Sequence, residues 1–159
     1  MAWSPQRERL AFVTNDGLFR IIEETGSALV ESQGEVIEAC ALSPQRDRVA
    51  TGEHDRTVRV READTGVELT VLTDHQDRVG SVAWSSSGRY VASASDDRTC
   101  RLWDVPESRQ LTVLRGHENY ADDVSWAPDE QRVITRGRNL DRSGMGRGYR
   151  SASRRPQRS

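Results

Sequence analysis

A self-similarity with a spacing of about 40 residues constrains this chain more than any other feature. The segment AWSSSGRYVASASDDRTCRLWDV (83–105) overlays ALSPQRDRVATGEHDRTVRVREA (41–63) at an offset of 42, and AWSPQRERLAFVTNDGLFRIIEE (2–24) overlays the latter at 39. A fourth copy begins at SWAPDEQRVIT (125–135), 42 residues on again. Repeats are therefore expected at about 2–32, 33–74, 75–116 and, incomplete, 117–135, within one unit spanning 1–135.

Inside each copy apolar residues recur at period two in short runs, separated by turn-formers such as Ser85-Ser86-Ser87-Gly88, Asp96-Asp97-Arg98 and Asp64-Thr65-Gly66. That pattern predicts strands of about five residues joined by tight turns. Four fit in each copy, at roughly 78–84, 90–94, 99–103 and 110–114 in the best one. Helix is disfavoured by the Val, Thr and Ser content of these runs and by a turn signal every 8–12 residues.

The 42-residue period, four strands per copy, Gly116-His117 before a first strand and Trp103-Asp104 closing a third together resemble the WD-repeat family of β-propellers. The resemblance covers about residues 2–135. It implies an all-β fold, an incomplete propeller of four-stranded antiparallel blades, followed by a disordered basic tail. In the third copy His75, Ser93, Asp97 and Trp103 stand at the family's spacing for a hydrogen-bond network that locks a blade. There the His bonds the turn Asp and the strand Ser, and the Ser reaches the indole N–H, so that no buried polar group goes unpaired. The pattern decays elsewhere: Gln33, Thr51, Asp55 and Arg61 in the second copy; Phe12, Asp16 and Ile22 in the first; His117, Thr135, Asn139 and Met145 in the fourth. One blade is thus expected to carry the full network and the others to rely on apolar packing.

His75, Ser93 and Asp97 have the residue types of a hydrolase triad, which makes a hydrolase using Ser93 an alternative. The structural reading is preferred, because Ser93 lies inside a strand between two Ala and no G-x-S-x-G elbow is present. No enzyme activity and no cofactor are expected. His54, His75 and His117 fall in different copies, which argues against a metal site, and Cys40 and Cys100 read as small core residues. The remaining function is protein binding by a non-catalytic scaffold, a fragment of a larger propeller protein. The resemblance places Asn15, Glu38, His54, Arg78, Asp96, Tyr120 and Asp122 on the rim of the upper face. With Glu35, Asp77, Glu118 and Asp123 they predict a mainly acidic rim suited to a basic protein partner, Tyr120 being the best anchor.

Charge is unevenly spread. Residues 1–135 hold 15 Arg and 24 acids, while residues 136–159 hold 8 Arg and 1 Asp, and the chain has no Lys. The Arg- and Gly-rich tail with Tyr149 interleaved raises nucleic-acid binding as an alternative function, although its composition predicts disorder. No apolar run approaches the ~18 residues of a spanning helix, and MAWSPQRERL lacks a signal-peptide h-region, so a cytoplasmic protein without membrane contact is expected. Three and a fraction blades leave open sheet faces, to be covered by further propeller blades or by self-association.

The tail also reads as an out-of-frame continuation of the fourth repeat. Repeat register calls for Trp-Asp at 145–146, where the chain has Met145-Gly146. That pair is encoded ATG-GGN, and one base later the frame reads TGG, a Trp codon. Asp141-Arg142-Ser143 can shift likewise to Thr-Val-Arg, and 153–158 to Leu-Val-Val-Leu-Ser-Gly. Translating the encoding DNA one base later from about codon 140 should yield Trp-Asp and Leu-x-Val-Leu; stop codons there refute the reading.

Overall fold

The chain reverses about every ten residues, and its turns carry left-handed backbone at fixed repeat positions. Arg56 and Arg98 sit at φ 76° and 68°, Arg46, Gly88 and Glu130 at 65°, 69° and 54°, and Gly66 and Ser108 at 72° and 47°. Members of each set are 42 residues apart. Only one residue in each of the last two sets is a glycine, so side chains elsewhere bear the cost of this conformation.

A computed structural model describes residues 2–3, 9–14, 19–23, 26–28, 36–138 and 149–154. It is all-β. The first sheet holds β1 (Ala2–Trp3), β2 (Arg9–Val13), β3 (Phe19–Glu23) and β4 (Gly26–Ala28). The second holds β5 (Ile37–Leu42), β6 (Arg48–Glu53), β7 (Val58–Glu62) and β8 (Glu68–Leu72). The third holds β9 (Val79–Trp84), β10 (Tyr90–Ser95), β11 (Cys100–Asp104) and β12 (Arg109–Leu114), each within one or two residues of its expected limits. The fourth holds β13 (Ala121–Trp126), β14 (Arg132–Gly137) and β15 (Tyr149–Arg154). All are antiparallel meanders in chain order, the blades of an incomplete propeller.

Blades stack through their faces. Ala11, Phe19 and Ile21 of the first meet Ile37, Val49 and Ala63 of the second. Ala50, Val58, Val60 and Leu72 of the second meet Val79, Trp84, Val91 and Trp103 of the third. Ala92, Ala94, Cys100 and Leu102 of the third meet Ala121, Val124 and Val133 of the fourth. Every residue of β10 and β11 is buried in the third blade, which has a neighbour on both sides. The approach is close enough that a Cβ on Gly52 would lie 2.7 Å from the Val79 carbonyl oxygen. The indole N–H of Trp84 donates to the Ala41 carbonyl at 2.9 Å, and that of Trp126 to the Ala83 carbonyl at 3.1 Å, clipping each blade to the one before it.

Two segments beyond residue 135 are among the described residues. Strand β14 continues two residues past 135, and Tyr149–Arg154 forms β15 against it, since the open edge of β14 offers backbone groups for pairing. Repeat register would put the third strand at 142–146, 42 residues after Cys100–Asp104, yet Ile134 faces Ser151 where Ala92 faces Leu102. The third-strand slot is filled about seven residues late. Residues 139–148 and 155–159 of the segment read as out of frame lie outside the described residues.

Relieving the left-handed strain at exposed Arg98 should raise stability. A non-glycine residue there costs about 1–2 kcal/mol, and glycine gives back part of the gain through a freer unfolded chain, so Arg98→Gly should stabilise by about 0.5–1 kcal/mol. A shift of the urea midpoint to lower concentration would contradict this.

Candidate functional site

The third blade carries the complete polar lock. His75 lies in the connection from β8 to β9, Ser93 in mid β10, Asp97 in the turn after it and Trp103 in β11. The His75 Nδ1–H donates to Asp97 Oδ2 at 2.7 Å, Ser93 Oγ–H to His75 Nε2 at 2.8 Å, and Trp103 Nε1–H to Ser93 Oγ at 2.9 Å. This chain of donors closes only for a neutral imidazole, because a second ring proton would take the place of the Ser93 hydroxyl hydrogen. Burial pushes the His75 pKa below its ordinary value of 6.5, partly opposed by Asp97, which agrees with that state. Burial also raises Asp97, but hydrogen bonds from the Thr99 hydroxyl, the Gln76 N–H and His75 outweigh it and hold the carboxyl at about 2.

Ser93 is fully buried and has both its donor and an acceptor position engaged. It offers no exposed nucleophile to a substrate. Burial pushes the thiols of Cys40 and Cys100 up to about 11 and about 12, which keeps both protonated. Among the described residues no cluster of His, Cys, Asp and Glu could hold a metal ion, and no helix is long and apolar enough to cross a membrane.

Apolar packing alone does not hold the second blade, contrary to expectation. Arg61, at the position of Trp103, donates from Nη1 to Thr51 Oγ1 at 2.6 Å and from Nη2 to Glu53 Oε1 at 2.8 Å, while Thr51 Oγ–H donates to Glu53 at 2.9 Å. Thr51 thus keeps the donor-and-acceptor role of Ser93, with Glu53 standing in for the imidazole. Arg59 joins Glu53 Oε2 at 2.9 Å to Asp55 Oδ2 at 2.6 Å. In the fourth blade His117 Nε2 bonds Thr135 Oγ1 at 2.9 Å, the expected half-network. Gln33, Asp16, Asn139 and Met145 lie outside the described residues.

The rim residues come from two devices repeated in successive blades. At the start of the first strand of the second, third and fourth blades one residue is skipped in the pairing: Glu38 between Ile37 and Ala39, Gly80 between Val79 and Ser81, Asp122 between Ala121 and Asp123. Such a bulge turns the skipped residue away from the interblade face. Two residues before it, the carbonyl of Val36, Arg78 or Tyr120 accepts the N–H of His54, Asp96 or Arg138. Strand start and turn are thereby brought side by side in each blade. Arg78 donates from Nε to Asp96 at 2.6 Å and from Nη1 to Glu38 at 3.4 Å, across two blades, and Arg138 Nε donates to Asp122 at 3.4 Å.

The structure brings Glu38, Arg78 and Asp96 together, sets Tyr120 and Asp122 beside Arg138 on the next blade, and leaves His54 exposed beside Val36. Asn15 and Glu35 lie outside the described residues. Val36 and Arg138 are rim residues not anticipated, although both stand at the repeat positions of anticipated ones. Val36 is 52% exposed and Tyr120 44%. A cleft of about 530 Å³ opens between the blades beneath this rim, lined by Phe12, Val13, Glu38, Cys40, Ser81 and Asp123 among others.

A family model for the WD domain, G-beta repeat, matches residues 27–61, which take in β5 to β7, and 66–104, which take in β8 to β11. These two segments match WD repeats. It is 36% identical over 62 residues to Ribosome assembly protein 4 of Chaetomium thermophilum, covering 38% of this chain and 12% of that protein. It is 33% identical over 78 residues to the ciliary WD repeat-containing protein ctxp80 of Euplotoides octocarinatus, covering 49% and 11%. It is 32% identical over 90 residues to Coronin-7 of Mus musculus, covering 56% and 10%. The chain thus spans about a tenth of the length of these curated relatives.

Removing the indole should cost about 3–5 kcal/mol in Trp103→Ala, and Ser93→Ala about 1–2 kcal/mol, as read by chemical denaturation. Glu53→Ala, which strands Arg61 in the interior, should cost about 3–5 kcal/mol. A value near zero for Glu53 would show that the ionic lock holds nothing.

Acid should destabilise the fold through His75. Its folded pKa lies below the unfolded value of 6.5, so as pH falls past that value the unfolded chain gains a proton that the folded chain refuses. Asp97 adds a second loss, beginning near its unfolded value of 3.8 and running down to its folded value of about 2. The fall in stability between pH 7 and pH 5 should flatten in His75→Gln; an unchanged slope would clear His75 of the effect.

Proposed function

We propose that this chain is a non-catalytic scaffold, and that it binds a basic protein segment across the rim built by Glu38, Arg78, Asp96, Tyr120 and Asp122. The observation that carries the reading is the bulge at the start of the second, third and fourth blades. In the second and fourth blades it presents a carboxylate, Glu38 or Asp122, outside the apolar interblade packing, while the strands behind it stay rigid. Exposed Val36 and Tyr120 supply apolar anchors on either side of the Arg78 ion pairs. Asp77, Glu118 and Asp123 add negative charge that Arg78 and Arg138 offset only in part, which favours Arg- or Lys-bearing partners. The buried and satisfied state of Ser93 supports the non-catalytic side of the proposal over the hydrolase alternative, and a cytoplasmic setting agrees with it.

Binding to an array of Arg- and Lys-rich peptides tests the reading. Tyr120→Ala should weaken the tightest of them about tenfold or more, and Asp122→Arg should do the same while steepening no melt. Equal binding by both variants, or no binding by any basic peptide, would overturn it. Binding of polynucleotide in preference to peptide would favour the tail-based alternative.

A further inference from the structure

Arg59, at the centre of the second blade's ionic network, has a counterpart one repeat later whose surroundings are very different. Arg59 gives Nε to Glu53, Nη2 to Asp55 and Nη1 to Glu68, so three carboxylates share its charge. The residue 42 positions on is Arg101 in β11. There Ser95 stands in place of Glu53 and Gln110 in place of Glu68. Asp97, in place of Asp55, has Oδ1 engaged by Thr99 and Oδ2 by His75 and the Gln76 N–H.

Arg101 is therefore a cation without a carboxylate, and it is the more deeply buried of the two. It is 8% exposed, whereas the Arg59 side chain is 24% exposed. Its Nε is enclosed and has no hydrogen-bond partner, and among the described residues its one hydrogen bond runs from Nη1 to Gln110 Oε1. Withdrawing a guanidinium from water with most of its donors unused is costly, and a carboxylate accepting from it offsets that cost. Nη2 and the amide nitrogen of Gln110 make no hydrogen bond among the described residues and, unlike Nε, are not enclosed. Two free donors thus stand side by side at the surface end of a buried cation.

Their place is the outer part of the seam between the second and third blades, both of which are complete four-stranded sheets. Arg101 pairs with Ser93 and shares the face of Trp103, the face that meets the second blade. Two residues before Gln110, the Ser108 hydroxyl bonds that of Thr70 on β8 at 2.8 Å, which ties the two outer strands across the seam. Leu69, next to Thr70, adds an apolar element. It is skipped in the pairing between Glu68 and Thr70, as Leu111 is between Gln110 and Thr112. Leu111 packs against the core shared with the following blade, whereas Leu69 at the same place is 52% exposed.

We propose that this outer seam is a binding surface for an acidic protein segment, in which Arg101 and Gln110 take an Asp or Glu carboxylate and Leu69 takes an aliphatic side chain beside it. A carboxylate suits the slot because one fills it in the second blade, where Glu68 accepts from Arg59 at 2.8 Å. The surface uses the third and outer strands and shares no residue with the rim. It calls for a segment of the opposite charge, so it stands or falls independently of the partner proposed there.

Titration of the isotopically labelled full chain with end-blocked peptides that carry Asp or Glu between aliphatic residues tests it, followed by nuclear magnetic resonance. The Arg101 Nε–H resonance, assigned through its bonds to the Arg101 backbone, should shift with the tightest peptides and stay in place with their Asn or Gln versions. Gln110→Glu should weaken that binding about tenfold or more, because it gives Arg101 the carboxylate that Glu68 gives Arg59. The same variant should raise the urea midpoint, and it should keep the fold, since the second blade already carries a glutamate at this position. No shift with any acidic peptide, an equal shift with the amide versions, or a Gln110→Glu variant that binds like the wild type would each overturn the proposal. A shift with inorganic phosphate but with none of the peptides would overturn it as well.

Discussion

Strands of five residues with apolar side chains on both faces cannot form a stable sheet alone, and everything in this molecule follows from the need to cover both faces. A blade buries one face against its predecessor and the other against its successor, so its interior is shared rather than owned. The third blade, flanked on both sides, is buried through two whole strands, and it is also the blade with the complete polar lock. The close approach at Gly52 and the two indole clips show how little space the contact leaves. At Ile22 and Ile134, where no described blade lies against the sheet, the same positions are exposed.

The lock occupies a fixed slot that two chemistries can fill. A hydroxyl at the centre of the second strand receives one hydrogen bond from the third strand and gives one to an acceptor beyond it. In the third blade the donor is an indole and the acceptor an imidazole; in the second they are a guanidinium and a carboxylate. Ions buried this deeply are tolerable only when their hydrogen-bonding capacity is used. Glu53 accepts from Thr51, Arg59 and Arg61, and Arg59 continues to Asp55 and Glu68, so the charge is spread over a network that reaches the surface. Such a set needs each of its members, whereas a buried indole also contributes packing when its hydrogen bond is lost.

Much of this was legible beforehand because the repeat offset converts one well-marked copy into a template for the rest. Strand limits in the third copy followed from the period-two runs and turn signals, while the His75–Ser93–Asp97–Trp103 set and the His117–Thr135 pair followed from the resemblance to the WD-repeat family, carried between copies by the offset. The second blade's lock was missed because Arg61 was read as the loss of Trp. Its compensation, Glu53, lies at the position of Ser95, which the four-residue motif does not include. Val36 and Arg138 were missed for a different reason: a lone valine and an arginine in a basic tail carry no chemical signature, and only the offset from Arg78 and Asp96 marks them. The strand at Tyr149–Arg154 was not legible at all, since composition alone cannot show that an adjacent sheet edge will recruit a polar segment.

The bulge at the start of the second, third and fourth blades separates two demands that would otherwise conflict. A residue in regular pairing must suit the interblade face it points to, which is why Ala50 and Ala92, or Val49, Val91 and Val133, vary so little. The skipped residue faces no such test, and Glu38, Gly80 and Asp122 differ in size and charge without disturbing the sheets behind them. Partner choice can therefore change at the rim one residue at a time while the stack keeps its register.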